Sequence, residues 1–208
     1  MSRKTKEEAE KTRSRILANA LTLFVKKGYE NTTFIDIAEK LKMTKGAVYW
    51  HFKSKSDLLS ALMEEALNRF SSTLSERIKG RELTFVEVGN ILVEIAERIV
   101  SEKKRCEFFM LMQVGLKWTD KELANLAKRL IAQRIGGPYE AVVDALKADI
   151  SSGRVNKNVD AEEIASAVMS AWDGIIRRKI EGFLIPDMTL TLRNFFNAVW
   201  SGIKTNDF

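Results

Sequence analysis

The chain is predicted to be all-α, with about nine helices in two domains, residues 1–55 and 56–208. It contains only two prolines, Pro138 and Pro186, so long stretches have no strong helix breaker. These stretches are rich in Ala, Leu, Glu, Lys and Arg, which are strong helix formers. Alternating Val/Thr/Tyr runs and Asn-Gly turns, the usual signals of strands and hairpins, are absent from the sequence.

The first two helices are defined by apolar periodicity and by capping residues. A long helix is predicted from about Lys6 to Lys27, because apolar residues recur at helical spacing and Gly28 follows as a C-terminal cap. Thr33 and Asp36 have the spacing of a capping box, with Asp in the place of Glu, and predict the start of a short second helix.

The third and fourth helices follow within a few residues. Thr44 is a good N-cap for a short helix over Lys45–Phe52, and Ser54 with Asp57 caps a long helix over about Lys55–Lys79. Two short helices joined by a tight turn and braced by longer helices form a helix-turn-helix unit. In such a unit the second short helix is the recognition helix, which enters the major groove of DNA.

The remainder of the chain is predicted to form five longer helices. Their approximate spans are Thr84–Ser101, Lys104–Trp118, Asp120–Ser151, Asp160–Gly182 and Asp187–Lys204. The sequence Gly136-Gly137-Pro138 interrupts the third of these, because proline disfavours the α conformation of the preceding residue and lacks a backbone donor. We therefore expect a kink or a break at that point.

The excess positive charge lies in the N-terminal part. The net charge is +6, and residues 1–60 carry 13 Lys/Arg against 7 Asp/Glu, whereas residues 61–208 are balanced. This asymmetry favours a polyanionic partner for the N-terminal domain. A mildly basic, solvated surface is the alternative that charge alone leaves open.

Four consecutive rings occupy the third helix, and they cannot all face the core. A helical wheel places Val48 and Phe52 on the buried side. The outward side then consists of a cation, a glycine and three rings with polar groups: Lys45, Gly46, Tyr49, Trp50 and His51. These groups can donate to phosphate oxygens, and a lysine can reach a guanine edge. Packing of the rings among themselves is the alternative for any single ring, whereas the group together favours nucleic acid.

The stretch "TTFIDIAEKLKMTKGAVYWHFKSKSDLL" resembles the signature of the TetR family of bacterial transcriptional regulators, most closely its branch that controls multidrug efflux pumps. The segment "RKTKEEAEKTRSRILANALTLF" is similar to the first helix of that branch, so the resemblance covers roughly the first 60 residues. One departure is Lys42, which stands where the family usually has a turn glycine. If the turn requires a positive φ, lysine costs about 1 kcal/mol relative to glycine.

The resemblance implies DNA-binding roles for eight residues. Thr33 and Thr44 would be phosphate-contacting caps, and Lys45 and Gly46 would approach base edges. Tyr49, Trp50 and His51 would contact the backbone and bases, and Lys55 would bind a phosphate. A lysine that begins a helix can also hold a phosphate together with the helix N-terminus.

The family forms homodimers through its last two helices, and the sequence supports such an interface independently. Both helices carry wide apolar stripes, which could form a four-helix interface. The predicted interface residues are Trp172, Ile175, Ile176, Phe195, Phe196, Val199 and Trp200. The alternative is that both stripes pack into their own domain.

The family also has a ligand cavity in its second domain. The stretch "CEFFMLMQVGLKW" is apolar all round for several residues, and methionines suit adaptable cavities. The predicted pocket residues are Met63, Phe70, Phe108, Phe109 and Met112. Ordinary core packing is the alternative for each of them.

Catalysis, metal binding and membrane insertion are not indicated. The nucleotide-binding and hydrolase motifs are missing, and one His with one Cys cannot build a His-rich metal site or a triad. We therefore predict no enzymatic activity, no cofactor and no metal. The N-terminus lacks the apolar segment of a signal peptide, and no apolar run reaches the length of a membrane span, so a cytoplasmic location is expected.

The sequence therefore predicts a DNA-binding transcriptional regulator that is not an enzyme. Its partners would be a palindromic double-stranded DNA operator, a second copy of the chain and a small hydrophobic effector, whose binding releases the repressor from DNA. A helical small-molecule-binding or adaptor protein without DNA binding is the alternative.

Overall fold

The computed structural model describes residues 3–78, 82–132, 137–183 and 186–205, and the described residues form ten α-helices. The helices are α1 (Arg3–Lys27), α2 (Phe34–Leu41), α3 (Lys45–His51), α4 (Lys55–Ile78), α5 (Phe85–Ser101), α6 (Lys103–Met110), α7 (Lys121–Ala132), α8 (Pro138–Ser151), α9 (Ala161–Ile180) and α10 (Met188–Ile203). A π-helical turn, Leu111–Gly115, follows α6. Within these ranges the only extended pairing is an isolated bridge between Val155 and Lys204. The prediction of an all-α chain is confirmed.

The chain divides into two compact units. Unit 1 comprises Met1–Ala66 and Lys103–Gln133, and unit 2 comprises Leu67–Glu102 and Arg134–Phe208. This division differs from the predicted boundary between residues 55 and 56, because α6 packs on α1 and therefore groups with the N-terminal helices.

Capping residues begin α2 and α3 at the predicted positions. The amide of Asp36 donates to Thr33 Oγ1 (3.2 Å) and the amide of Thr33 donates to Asp36 Oδ2 (2.7 Å), which is the reciprocal pair of a capping box. Thr44 Oγ1 accepts from the amide of Ala47 at 3.2 Å. Because isolated helices of seven or eight residues are unstable in water, these caps and the core contacts decide where α2 and α3 form.

The buried side of α3 is the one that the helical wheel predicts. Val48 is 0% exposed and Phe52, the C-cap of α3, is 1% exposed. They pack in the core of unit 1 with fully buried side chains such as Phe24, Ile37 and Leu58. The remaining residues of α3 therefore face away from the core.

Gly136 lies outside the described residues, but the predicted interruption is confirmed at the other two positions, since Gly137 is extended (φ −74, ψ 173) and α8 begins at Pro138. The predicted helix over Lys104–Trp118 ends earlier. It passes at Leu111 into the π-helical turn, and Leu116 is extended.

Unit 2 contains α5, α8, α9 and α10 around one core. Asp149 on α8 is 0% exposed, and its carboxylate accepts from the amide of Phe85 (2.8 Å) and from Arg154 Nε (2.7 Å). The buried charge is thereby paired and hydrogen-bonded, as a charge in a protein interior must be. The Asp149 carboxylate thereby holds the first residue of α5 against α8.

None of the helices in the described ranges combines the length and the apolar composition needed to cross a membrane.

The turn between α2 and α3 places Lys42 in the left-handed region, with φ 54 and ψ 45. Lys42 is the only non-glycine residue with a positive φ in the part of the chain that the structure describes. The turn therefore meets the condition under which lysine was expected to be less favourable than glycine. Because Cβ crowds the backbone there, lysine carries a conformational cost that glycine avoids.

Lys42→Gly is expected to stabilise the protein by about 1 kcal/mol, because glycine adopts this conformation without the Cβ clash. Urea denaturation followed by circular dichroism measures the effect. Lys40→Gly is the matched control: it removes the same charge from an exposed position inside α2, where glycine should destabilise by about 1 kcal/mol. Equal destabilisation by both substitutions would contradict the assignment of strain to Lys42.

Candidate nucleic-acid interface

The outer side of α3 exposes rings and a cation to solvent. Trp50 is 64% exposed and Tyr49 is 43% exposed, while Lys45 and Gly46 are also exposed and His51 is half-buried. Large aromatic side chains on a short helix are usually buried, so their exposure here indicates a contact surface. The structure thus brings five of the predicted DNA-binding residues onto one continuous stretch of one helix.

The exposed rings are braced by neighbours. The Tyr49 ring lies 4.7 Å from the Phe34 ring between centroids, and Lys45 Nζ lies 5.4 Å from the Tyr49 centroid. Trp50 and His51 meet edge to face at 4.6 Å. The alternative of ring–ring packing is therefore partly correct. These ring contacts leave the outer surfaces of the side chains open. They also restrict the side-chain rotamers, and this reduces the conformational entropy that is lost when a partner binds.

Gly46 leaves the outer surface of α3 flat. A Cβ built at this position would meet only Thr44 Oγ1 within 4 Å, at 3.9 Å, so packing inside the chain does not require glycine here. The absence of a side chain instead allows the close approach of an external partner to the helix backbone.

His51 lies beside a cation that the sequence analysis missed. Arg13 on α1 stacks over the Phe52 ring, with its guanidinium carbon 5.0 Å from the ring centroid. Burial, and then the charge of Arg13, lower the pKa of His51 from its usual value of 6.5. His51 is therefore neutral at pH 7. The excess of basic residues in 1–60 hinted at such a cation, but only packing shows which one it is.

The two threonine caps differ in what they leave for a partner. The hydroxyl of Thr33 donates to Asp36 Oδ2 at 2.7 Å, so it is already engaged within the chain. Asp36 in turn pairs with Lys27 Nζ at 2.5 Å, which joins α1 to α2. The hydrogen bond from Lys27, followed by those from Thr33, lowers the pKa of Asp36 to about 2. Thr44 has no such carboxylate partner among its described hydrogen bonds, and the phosphate contact predicted for it stays a prediction.

Lys55 has partners inside the chain. Its Nζ donates to the carbonyl oxygens of Tyr29 (2.9 Å) and Glu30 (2.8 Å). The phosphate contact that the sequence predicts for Lys55 stays a prediction, and it competes with these two bonds.

The predicted pocket residues that can be placed all belong to unit 1. Met63 and Phe109 are buried, and Phe108 and Met112 are half-buried. Phe70 lies in α4, but its side chain is outside the described residues. Within unit 2 there is a small cavity of about 90 Å³ between α5 and α10, lined by residues that include Phe85, Gly89 and Phe196. It is smaller than the roughly 300–1,000 Å³ typical of ligand sites.

The predicted interface residues divide into two groups. Trp172 (4% exposed), Ile176 (0%) and Phe196 (6%) lie in the core of unit 2, so they are not on a surface that a second copy could cover. Trp172 Nε1 donates to the carbonyl of Leu92 (3.1 Å), and Phe196 packs against Gly89. The other four are half-buried and stay predicted: Ile175, Phe195, Val199 and Trp200.

Metal-binding chemistry has no cluster to support it in the described ranges. No group of three or more His, Cys, Asp or Glu side chains there is arranged to hold a metal ion. Cys106 is a free thiol on α6, and burial, followed by the charge of Glu107, raises its pKa.

A helix-turn-helix with an exposed, cationic and aromatic third helix defines a DNA-binding regulator. Comparisons with known proteins support the same class of protein. The model of the family "Bacterial regulatory proteins, tetR family" matches residues 16–62. The HTH-type transcriptional regulator TtgR of Pseudomonas putida is 30% identical over 190 residues, which cover 90% of this chain and 87% of TtgR. The chain belongs to the TetR family of transcriptional regulators, as its sequence signature predicts.

Two solved structures share the fold over most of the chain. NalD, the secondary repressor of the MexAB-OprM multidrug efflux pump in Pseudomonas aeruginosa, has a TM-score of 0.74 and 19% identity, covering 96% of this chain and 98% of NalD. FadR from Bacillus subtilis, in complex with stearoyl-CoA, has a TM-score of 0.77 and 18% identity, covering 91% of this chain and 98% of FadR.

The affinity for duplex DNA is expected to rise as pH falls towards the lowered pKa of His51, with a slope of log K against pH no steeper than about −1. The free protein holds His51 neutral because its pKa is lowered, whereas a phosphate beside the ring favours the imidazolium, so binding takes up a proton. Fluorescence anisotropy at several pH values measures this slope.

The control for this pH dependence is His51→Gln, which retains a polar donor and leaves no histidine in the chain, since His51 is the only one. The free energy of unfolding has the opposite pH dependence. Between the lowered pKa of His51 and 6.5 the unfolded state binds more protons than the folded state, so the free energy of unfolding rises with pH. Binding is therefore measured well below the melting temperature. An unchanged slope in the variant would exclude His51 from the phosphate contact.

Proposed function

We propose that this protein is a homodimeric repressor that binds a palindromic DNA operator through α3 and is released by a small hydrophobic effector. The observation that carries the DNA contact is the two-sided character of α3. Val48 and Phe52 are buried, while Lys45, Tyr49 and Trp50 are exposed.

The proposed DNA contact assigns each exposed group a task that its chemistry supports. Lys45 approaches a phosphate or a guanine edge, and Gly46 lets the backbone of α3 come close to the groove. Tyr49, Trp50 and His51 donate to phosphate oxygens or contact bases. Thr44 offers its hydroxyl to a phosphate at the N-terminus of α3, and Thr33 does so less favourably because Asp36 already accepts from it.

Homodimer formation is supported by the half-buried apolar residues of α9 and α10. Ile175 lies on α9, and Phe195, Val199 and Trp200 lie on α10. Such residues on two helices can join those of a second copy in a four-helix interface. A two-fold dimer presents two copies of α3 to half-sites about 34–36 Å apart, or a multiple of this distance.

The regulatory part of the proposal rests on relatives and on general linkage. NalD is described as a repressor of an efflux pump, and FadR was crystallised with stearoyl-CoA, an amphipathic molecule with a long acyl chain. An effector that binds more tightly to a dimer in which the two copies of α3 are wrongly spaced for the operator lowers the affinity for DNA. The size of this decrease is set by the difference between the affinities of the effector for the two states of the dimer. The site of action is the bacterial cytoplasm, where operator DNA is accessible.

Lys45→Ala is expected to weaken binding to a duplex selected from random DNA and to reduce the log K–log[salt] slope by about 0.9 for each phosphate that is no longer neutralised. Filter binding between low and moderate salt measures both quantities. The selected sequences should contain inverted half-sites, because a two-fold dimer reads them symmetrically.

Lys157→Ala is the matched control for the Lys45 experiment. It removes the same charge from an exposed loop of unit 2 and should leave the slope unchanged. If the wild type fails to bind any duplex at low salt, the proposed function is wrong. If Lys157→Ala lowers the log K–log[salt] slope equally, the fall seen with Lys45→Ala does not come from a phosphate contact on α3.

Val199→Glu is expected to produce a folded monomer. Val199 is half-buried within one chain, and a second copy would cover the rest of it, so a carboxylate at this position would be buried without a partner in the dimer. Sedimentation velocity at micromolar concentration measures the state, and circular dichroism verifies folding. Asn158→Glu adds the same charge to an exposed loop and should remain dimeric. A monomeric wild type would contradict the proposed assembly.

A further inference from the structure

Lys55 stands at a junction of the DNA-binding unit. It is the first residue of α4, which follows α3 after three intervening residues, 52–54. Its ammonium reaches back 25 and 26 residues in sequence to the turn that connects α1 with α2, residues 28–33. The two segments that Lys55 joins therefore lie immediately before and after the helix-turn-helix.

The contacts of Lys55 are short and charge-assisted. Nζ donates to the carbonyls of Tyr29 and Glu30 at 2.9 and 2.8 Å, and it lies 4.9 Å from the centroid of the Tyr29 ring. An ammonium has three donors, so two of them are used within the chain. Hydrogen bonds from a charged donor are stronger than those between neutral groups, and the ring face adds a cation–π attraction.

The turn that Lys55 holds is itself anchored on α1. Tyr29 is 7% exposed and meets the buried Phe24 ring edge to face at 5.0 Å. Thr32 is 0% exposed, and its hydroxyl donates to the carbonyl of Gly28 at 2.8 Å. The next residue, Thr33, is the N-cap of α2. Lys55 therefore links α4 to a rigid segment that ends where the helix-turn-helix begins.

We infer that Lys55 is a positioning residue for DNA recognition, which fixes the helix-turn-helix between α1 and α4 by binding the carbonyls of the α1–α2 turn. This inference rests on the proposed DNA-binding function and assigns Lys55 a role different from a phosphate contact. Release of the turn would let α2 and α3 rotate together against α1 and α4. Trp50, the most exposed ring of α3, would then miss its place in the groove.

The test replaces Lys55 with methionine, which keeps an unbranched apolar stem beside Tyr29 and removes the ammonium. The affinity for the selected duplex should fall roughly tenfold or more, as expected for the removal of charged hydrogen bonds. The affinity for unrelated DNA and the log K–log[salt] slope should not change. Affinities are measured at a temperature at which circular dichroism shows the variant folded, so that reduced stability alone does not alter the ratio of specific to non-specific binding.

Lys53→Met is the matched control, because it removes the same charge two residues earlier from an exposed side chain. It should leave the ratio of specific to non-specific affinity unchanged. A fall in the salt slope of about 0.9 for Lys55→Met would identify a phosphate contact and overturn the inference. An unchanged affinity ratio would overturn it as well.

Hydrogen exchange in the absence of DNA separates this inference from the proposed function. The amide of Thr32 donates to the carbonyl of Tyr29, one of the two oxygens that Lys55 holds. Exchange at Thr32 should accelerate in Lys55→Met and remain at the wild-type rate in Lys53→Met. Unchanged exchange would show that Lys55 does not hold the turn, whereas failure of the wild type to select any duplex would refute only the DNA-binding function.

Discussion

The proposed DNA-binding surface depends on the anchoring of α3 through a single side. A helix of seven residues is far below the length at which helices are stable by themselves, so its conformation must come from its surroundings. Val48 and Phe52 supply burial at one side, and Thr44 supplies the first-turn hydrogen bond. Because these interactions use one side of the helix, the opposite side is left for a partner, and every ring that faces it must be exposed.

Long polar side chains extend this anchoring to the helices on either side. Lys27 on α1 pairs with Asp36 in the capping box of α2, and Lys55 on α4 binds the turn before α2. Arg13 on α1 covers the ring of Phe52 at the end of α3. An exposed ion pair such as Lys27–Asp36 contributes little to stability by itself. Together these contacts restrict the orientation of α3, on which the proposed groove contact depends.

The sequence contained the local part of this arrangement. Capping boxes, helical periodicity and the Gly-Gly-Pro break are encoded within a few neighbouring residues, and the structure agrees at Thr33, Thr44 and Pro138. The partners of Lys55 could not be predicted in this way, because a flexible side chain meets carbonyls about 25 residues away. The π-helical turn after α6 and the packing of α6 on α1 could not be predicted either, because they leave no periodic signal in the sequence.

The apolar stripes of α9 and α10 show a second limit. Periodicity identifies a side that is buried, but it does not say whether the burial is within one chain or between two. Trp172 and Phe196 lie in the core of their own unit, whereas Val199 and Trp200 are only half-buried. Residues one turn apart on the same helix can thus serve different surfaces, and only the packing of neighbouring helices separates them.

The buried carboxylate of Asp149 has a consequence for the order in which unit 2 folds. The amide of Phe85, at the first turn of α5, finds its acceptor 64 residues later in the chain. The capping residue Thr84 can act as soon as α5 forms, but the bond from Phe85 must wait until α8 has docked and the long intervening loop has closed. In a nascent chain that has not yet reached residue 149, the Phe85 amide therefore has water as its acceptor in place of the Asp149 carboxylate.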